Sequence, residues 1–186
     1  MTAIGKAQIA ILSTNGFEQS ELLEPKRQLE AAGAKVTVIS PKSGTIRGWK
    51  DGDWGESVSV DMALEDASAD AFDALVLPGG QMNPDVLRVE PKAIAFIRAF
   101  YDAGKPIAAI CHAPWLLIEA GLIDGKEVTS YHSIKTDVMN AGGRWKDAAV
   151  VVDQGIITSR NPGDLDQFCS KIVEEVEEGA HQRAPA

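Results

Sequence analysis

The chain reads as an α/β protein, a mostly parallel sheet flanked by helices on both faces. Two observations predict this. Short β-rich runs alternate with longer helical runs from end to end. The strand runs are continuously apolar rather than alternately polar, the pattern of strands buried on both faces. In such sheets ligands bind beyond the carboxyl ends of the strands, so strand exits are where functional residues are sought.

Residues 8–12 predict the first buried strand, closed by Ser13-Thr14-Asn15-Gly16. A helix follows over residues 20–32 with Leu22, Leu23 and Leu29 apolar, Pro25 tolerated in or near its first turns and Gly33 as the stop. Residues 36–39 form the second strand. Residues 41–55, rich in Gly, Trp, Lys and Asp, read as an irregular or hairpin excursion, and 58–60 as a short strand. Trp49 and Trp54 in this excursion are candidate contact residues or partly covered loop aromatics. Residues 74–77 are the third buried strand, ending in Pro78-Gly79-Gly80. An amphipathic helix runs over 91–103 with Ile94, Ile97 and Phe100 on one side, and residues 106–110 are the fourth buried strand. A helix over 113–120, a strand near Val128, a helix near 134–140 and strands at 150–152 and 156–158 complete the order before the last helix, 164–178. That helix is announced by Asn161-Pro162-Gly163 and stopped by Gly179. The expected domain is therefore residues 1–179, with 180–186 a flexible tail.

The totals narrow the function. A chain of 186 residues with 45% apolar and 24% charged residues is one ordinary globular domain. No apolar run reaches the roughly 20 residues a membrane span needs, and the first residues lack the layout of a signal peptide. The net charge of −9 would repel a phosphate backbone, so nucleic acid is not expected as a primary partner. The two cysteines, Cys111 and Cys169, lie far apart and suit a reducing cytoplasm rather than a disulfide framework. Cys169, with Phe168, Ile172, Val173 and Val176 around it in the last helix, reads as core.

Cys111 is the sharpest feature. It follows four apolar strand residues and precedes a helix, so its backbone must turn sharply, as in a nucleophile elbow. A thiol at a helix N-terminus is biased toward the thiolate; a buried structural cysteine is the alternative. His112 could serve as a general base, although consecutive side chains do not normally point the same way. Gly79-Gly80 lets backbone N–H groups approach a ligand closely and, with the N–H of His112, could form an oxyanion hole; alone, it is a turn. Glu18, just past the first strand, either aims a carboxyl group at the sulfur or is a solvated charge beside the helix N-cap. His132 and His181 have no zinc-ligand spacing with a cysteine, and no Gly-rich nucleotide-binding pattern occurs; neither a metal nor a cofactor is expected.

The stretches 73–80 and 104–114, the latter reading Gly-Lys-Pro-Ile-Ala-Ala-Ile-Cys-His-Ala-Pro, closely resemble the ThiJ/PfpI superfamily, as do Phe17-Glu18, 137–143 and 157–162. The nearest branch is the PfpI-type group of intracellular proteases, amidases and deglycases, which includes bacterial general stress proteins. The resemblance spans nearly the whole chain. It implies a flavodoxin-like three-layer sandwich, related to the class I glutamine amidotransferase domain. Cys111 is then the nucleophile, Glu18 is hydrogen-bonded to its sulfur, and the backbone of Gly80 and His112 forms an oxyanion pocket. It further implies a homodimer or larger homo-oligomer in which a carboxylate of a neighbouring subunit pairs with His112; Asp85 is the matching position, with Asp where Glu is usual. Ala113 replaces a common Gly, and Tyr131 stands where a relative carries a second active-site His. The expected activity is a stress-related, cysteine-dependent hydrolase acting on small carbonyl compounds or on modified proteins and peptides, as deglycase or as peptidase/amidase. The alternative is a non-enzymatic redox-sensing or protective protein that works through oxidation of Cys111.

Overall fold

The computed structural model describes residues 2–183. Its strands in chain order are β1 (Gln8–Leu12), β2 (Phe17–Glu18), β3 (Lys35–Ser40), β4 (Thr45–Lys50), β5 (Asp53–Ser59), β6 (Met62–Ala63), β7 (Ala74–Leu77), β8 (Ile107–Ile110), β9 (Glu127–Val128), β10 (Arg144–Trp145), β11 (Val150–Asp153) and β12 (Ile156–Ser159). The helices are α1 (Gln19–Ala31), α2 (Met82–Leu87), α3 (Pro91–Asp102), α4 (Pro114–Glu119), α5 (Lys135–Asn140) and α6 (Leu165–Glu178). Seven strands form the central sheet in the order β11-β12-β8-β7-β1-β3-β6, all parallel except β11, which runs antiparallel to β12.

Strand pleating separates two cores. Ala10, Leu12, Leu75, Leu77, Ile107 and Ala109 face one side, where Phe96, Ile97 and Phe100 of α3 and Leu116 and Leu117 of α4 cover them. Ile9, Ile11, Val38, Val76, Ala108 and Ile110 face the other, against Leu22 and Leu29 of α1 and Phe168, Ile172 and Val176 of α6. Each large side chain buried this way contributes roughly 1.5–3 kcal/mol, and both strand faces are used, which is why these strands carry no polar alternation. The α/β expectation holds.

Three local expectations need correction. The 41–55 excursion takes the hairpin form of its two expected readings, β4–β5 closed at Asp51-Gly52, and the correction is that β5 runs on to Ser59, so no separate strand stands at 58–60. Pro25 lies at the seventh position of α1 rather than its first turns; its ring removes the N–H that would bond the carbonyl of Glu21. The tail is anchored at least to Arg183. His181 N–H donates to the Gly104 carbonyl at 2.8 Å, and the Arg183 guanidinium donates to the carbonyls of Gln154, Tyr101 and Lys105 while stacking on the Tyr101 ring. Residues 184–186 lie outside the described residues.

Because β8, β7 and β1 are neighbours, their C-terminal exits meet. After β1 the chain goes outward to β3 and β6, then returns to β7 on the opposite side of β1, so the strand order reverses between β1 and β7. A crevice at such a reversal is the expected ligand site.

Candidate active site

The exit of β8 carries Cys111 at φ 63°, a left-handed conformation that costs a non-glycine residue on the order of 1–3 kcal/mol. Two backbone hydrogen bonds hold it there: Cys111 N–H donates to the Ser159 carbonyl at 3.0 Å, and the Cys111 carbonyl accepts from Tyr131 N–H at 2.8 Å. The twist overrides the usual divergence of consecutive side chains. Cys111 Sγ and His112 Nδ1 lie 3.1 Å apart, and His112 Nε2 lies 3.1 Å from Ser133 Oγ. The imidazole stacks on Tyr131 (centroids 4.8 Å apart) and meets the edge of Trp115. Burial, then the neighbouring His132, push the His112 pKa down, so the ring is neutral at pH 7 and can take a proton from the thiol.

Gly80, at the exit of β7, contributes its backbone. Its φ is 78°, and a Cβ there would stand 2.5 Å from the Gly16 carbonyl oxygen and 2.6 Å from Glu18 N; only glycine fits. The backbone N–H groups of Gly80 and His112 lie near Cys111 Sγ and pull the thiol pKa down. Gly79 does not join them: its N–H donates to Glu21 Oε2 at 2.9 Å, so it is spent on holding a carboxyl rather than free for an oxyanion.

That carboxyl is the main revision to the sequence reading. The acidic group against the sulfur is Glu21, not Glu18. Glu18 occupies the N-cap position of α1 with its carboxyl at the cavity wall, 3.4 Å from Ser20 Oγ; partial burial raises its pKa. One turn further on, Glu21 is fully buried (0% exposed). Burial first, and the Glu18 charge second, raise its pKa to about 8, so the carboxyl is mostly protonated at neutral pH. Its Oε1 is buried with no hydrogen-bond partner among the described residues. A buried polar atom left so is expected where it serves chemistry. Sequence reasoning missed Glu21 because it sits inside a helix. The signal was available: Glu21, Pro25 and Leu29 recur every four residues on the buried face of α1.

Burial and the Glu21 charge push the Cys111 thiol pKa up, while the Gly80 and His112 N–H groups pull it down. With Glu21 protonated its repulsion is absent, and thiol and carboxyl titrate as a coupled pair. The sulfur opens into a cavity of about 520 Å³ lined by Glu18, Trp49, Gln81, Met82, Tyr131 and Pro162 among others. Trp49 thus reaches the site from the hairpin, packed edge-on against Trp54 at 5.4 Å.

Asp85 lies apart. It is exposed on α2, and among the described residues it takes part in no ion pair or side-chain hydrogen bond. Within one chain the partner of His112 Nε2 is Ser133. The second-half motifs act as supports. Trp115 Nε1 donates to Asp137 at 2.8 Å, and Arg160, pinned to Asp164 and Asp147, fixes the loop carrying Pro162.

A doubly wound α/β domain with a strained cysteine at a parallel strand exit, beside a glycine-presented N–H and a protonated carboxyl, defines a class of proteins built around one thiol. Residues 7–175 match the DJ-1/PfpI family, and the chain belongs to it. It is 43% identical over 166 residues to deglycase TK1284 of Thermococcus kodakarensis, covering 89% of this chain and 97% of that one. It is 42% identical over 163 residues to general stress protein 18 of Bacillus subtilis, covering 87% and 92%. Among solved structures, a two-domain protein from Anabaena variabilis containing DJ-1/ThiJ/PfpI-like and ferritin-like domains superposes with a TM-score of 0.87 at 39% identity, over 92% of this chain and 48% of that one. No helix among the described residues is long and apolar enough to cross a membrane.

Proposed function

We propose that this protein is a stress-related, cysteine-dependent hydrolase whose thiolate attacks the carbonyl carbon of a small carbonyl compound or the carbinolamine carbon of a glycation adduct on a protein or peptide. The observation that carries this reading is the convergence on Cys111 Sγ of two backbone N–H donors, a neutral imidazole at 3.1 Å and the Glu21 carboxyl, at the floor of an open cavity. His112 Nδ1 takes the thiol proton as sulfur attacks and gives it to the departing amine of an adduct; a water then adds to the same carbon, breaking the C–S bond and returning a proton to the sulfur. The Gly80 and His112 N–H groups, released from a sulfur that is losing its charge, hold the developing oxyanion. Glu21, protonated below about pH 8, steadies the thiolate. The identity to a protein named deglycase supports adduct removal over general proteolysis.

The same proposal places the protein in the cytoplasm as a homodimer or larger homo-oligomer. Asp85 of a second copy then approaches His112 Nε2 in exchange for Ser133, beside the exposed Val86 (53%) and Val89 (78%). Asp85→Asn should lower turnover while leaving alkylation of Cys111 unchanged.

Turnover of a methylglyoxal-modified peptide by wild type and Cys111→Ser tests the central reading. Release of unmodified peptide by wild type alone is expected. If neither turns over, while peroxide converts Cys111 to a stable sulfinic acid, the redox-sensing alternative takes its place.

A further inference from the structure

We propose a zinc site at the end of α6, built from Glu175, Glu178 and His181 and independent of the cysteine centre. One ligand atom from each lies within 4.8 Å of the other two. Glu175 and Glu178, three residues apart, share a helix face. Gly179 then ends α6 at φ 92°, ψ −154°, a conformation essentially confined to glycine, and the chain folds back so that His181 returns over that face. The position of His181 is built in: its N–H is held by the Gly104 carbonyl, and a Cβ on either Gly104 or Gly155 would overlap it.

The second observation is electrostatic. Glu175 is only 5% exposed, and both its Oε2 and His181 Nε2 are buried without a hydrogen-bond partner among the described residues. The two atoms face each other at 2.8 Å without forming a hydrogen bond. Lys171, the nearest cation on the helix, is engaged by Glu174 at 2.5 Å. A divalent cation matches this set of two carboxylate oxygens and one imidazole nitrogen, which lie close enough to share it. Ligands bound at about 2.0–2.2 Å around a tetrahedral ion stand roughly 3.3–3.5 Å apart, so a small side-chain rotation opens the pair to admit it. The imidazole nitrogen selects zinc over calcium or magnesium, and three protein ligands leave a coordination position for water. The sequence reading overlooked the site because it paired histidines only with cysteines. The ion would clip the tail to α6.

The experiment is calorimetric titration of zinc ions into the chelator-treated full chain carrying Cys111→Ser, which removes the competing thiol. One zinc per chain is expected there, with affinity falling at least about tenfold on adding Glu175→Gln or His181→Ala; cobalt should give the visible absorption of a tetrahedral ion, lost in the same variants. Melting curves without metal establish that each variant is folded. Absence of binding, binding that Glu175→Gln and His181→Ala leave unchanged, or zinc bound only when Cys111 is present would each overturn the site.

Discussion

Cys111 and Cys169 belong to the same apolar cluster on one side of the sheet, 6% and 2% exposed, and both thiols are free. Burial pushes both pKa values up, that of Cys169 to about 12. Their difference lies in what faces the sulfur. Cys169 is mid-helix in α6, on a regular backbone whose N–H groups are occupied along the helix, and the charges acting on it, led by Glu24, are mostly acidic. Cys111 sits on a backbone twisted so that two N–H groups and an imidazole meet its sulfur at a cavity floor. Burial is common to a core cysteine and a nucleophile; directed donors and an opening are not.

The sharpest way to break this comparison is alkylation of the native protein with iodoacetamide at neutral pH. Cys111 should react two to three orders of magnitude faster than Cys169, as read by mass spectrometry of the labelled peptides, a ratio on the order of those separating activated from inert thiols. Comparable rates would remove the distinction.

Next in size is a pH effect on stability. The folded Glu21 pKa of about 8 exceeds the ordinary 4.5, so folding favours the protonated form. The stabilisation is complete below about pH 4.5 and is lost as pH rises through about 8, because unfolding then releases a proton. Unfolding free energies from denaturant titration should fall over this window by roughly 3 kcal/mol, less than the whole shift because the carboxyl titrates coupled to the thiol. Glu21→Gln should flatten the profile.

Substitutions at the two glutamates sharpen the comparison further. Glu21→Leu removes the protonated carboxyl that faces the sulfur and should raise the thiol pKa, with a loss of about 1.5–3 kcal/mol, followed by thiolate ultraviolet absorbance. Glu21→Gln retains a donor and should preserve most of the thiolate. Glu18→Leu should shift the titration far less, since Glu18 faces the cavity wall. If Glu18→Leu has the larger effect, the two roles are reversed.

The smallest effect is expected at Cys169→Ala, about 1 kcal/mol of stability from a vacated core position, with the alkylation rate of Cys111 unchanged.

Much of this was legible in the sequence where local pattern decides. The β1, β7 and β8 strands announce themselves by unbroken apolar runs, and the glycines and Cys111 mark their exits. What was not legible depends on distant contacts. Residues 82–87 follow Gly-Gly and contain Pro84, so they resemble loop, yet Asn83 donates to the Pro78 carbonyl and accepts from Thr14 N–H, which seats the short helix. The choice between Glu18 and Glu21 turns on Gly79, some 60 residues away. The tail gains its order from Gly104 and Gln154, neither of which its own composition reveals.

The docking of that tail has an architectural consequence. Gly104 lies three residues before β8 and Gly155 directly before β12, so the chain leaves Arg183 at the pole of the sheet where those strands begin. The cavity is at the pole where they end. Any appendage joined beyond Arg183 therefore starts its path on the far side of the domain from the cavity mouth, and a short tether there leaves access to Cys111 clear. A tag or fusion partner placed at this point is the natural choice for immobilising the protein with its thiol turned outward.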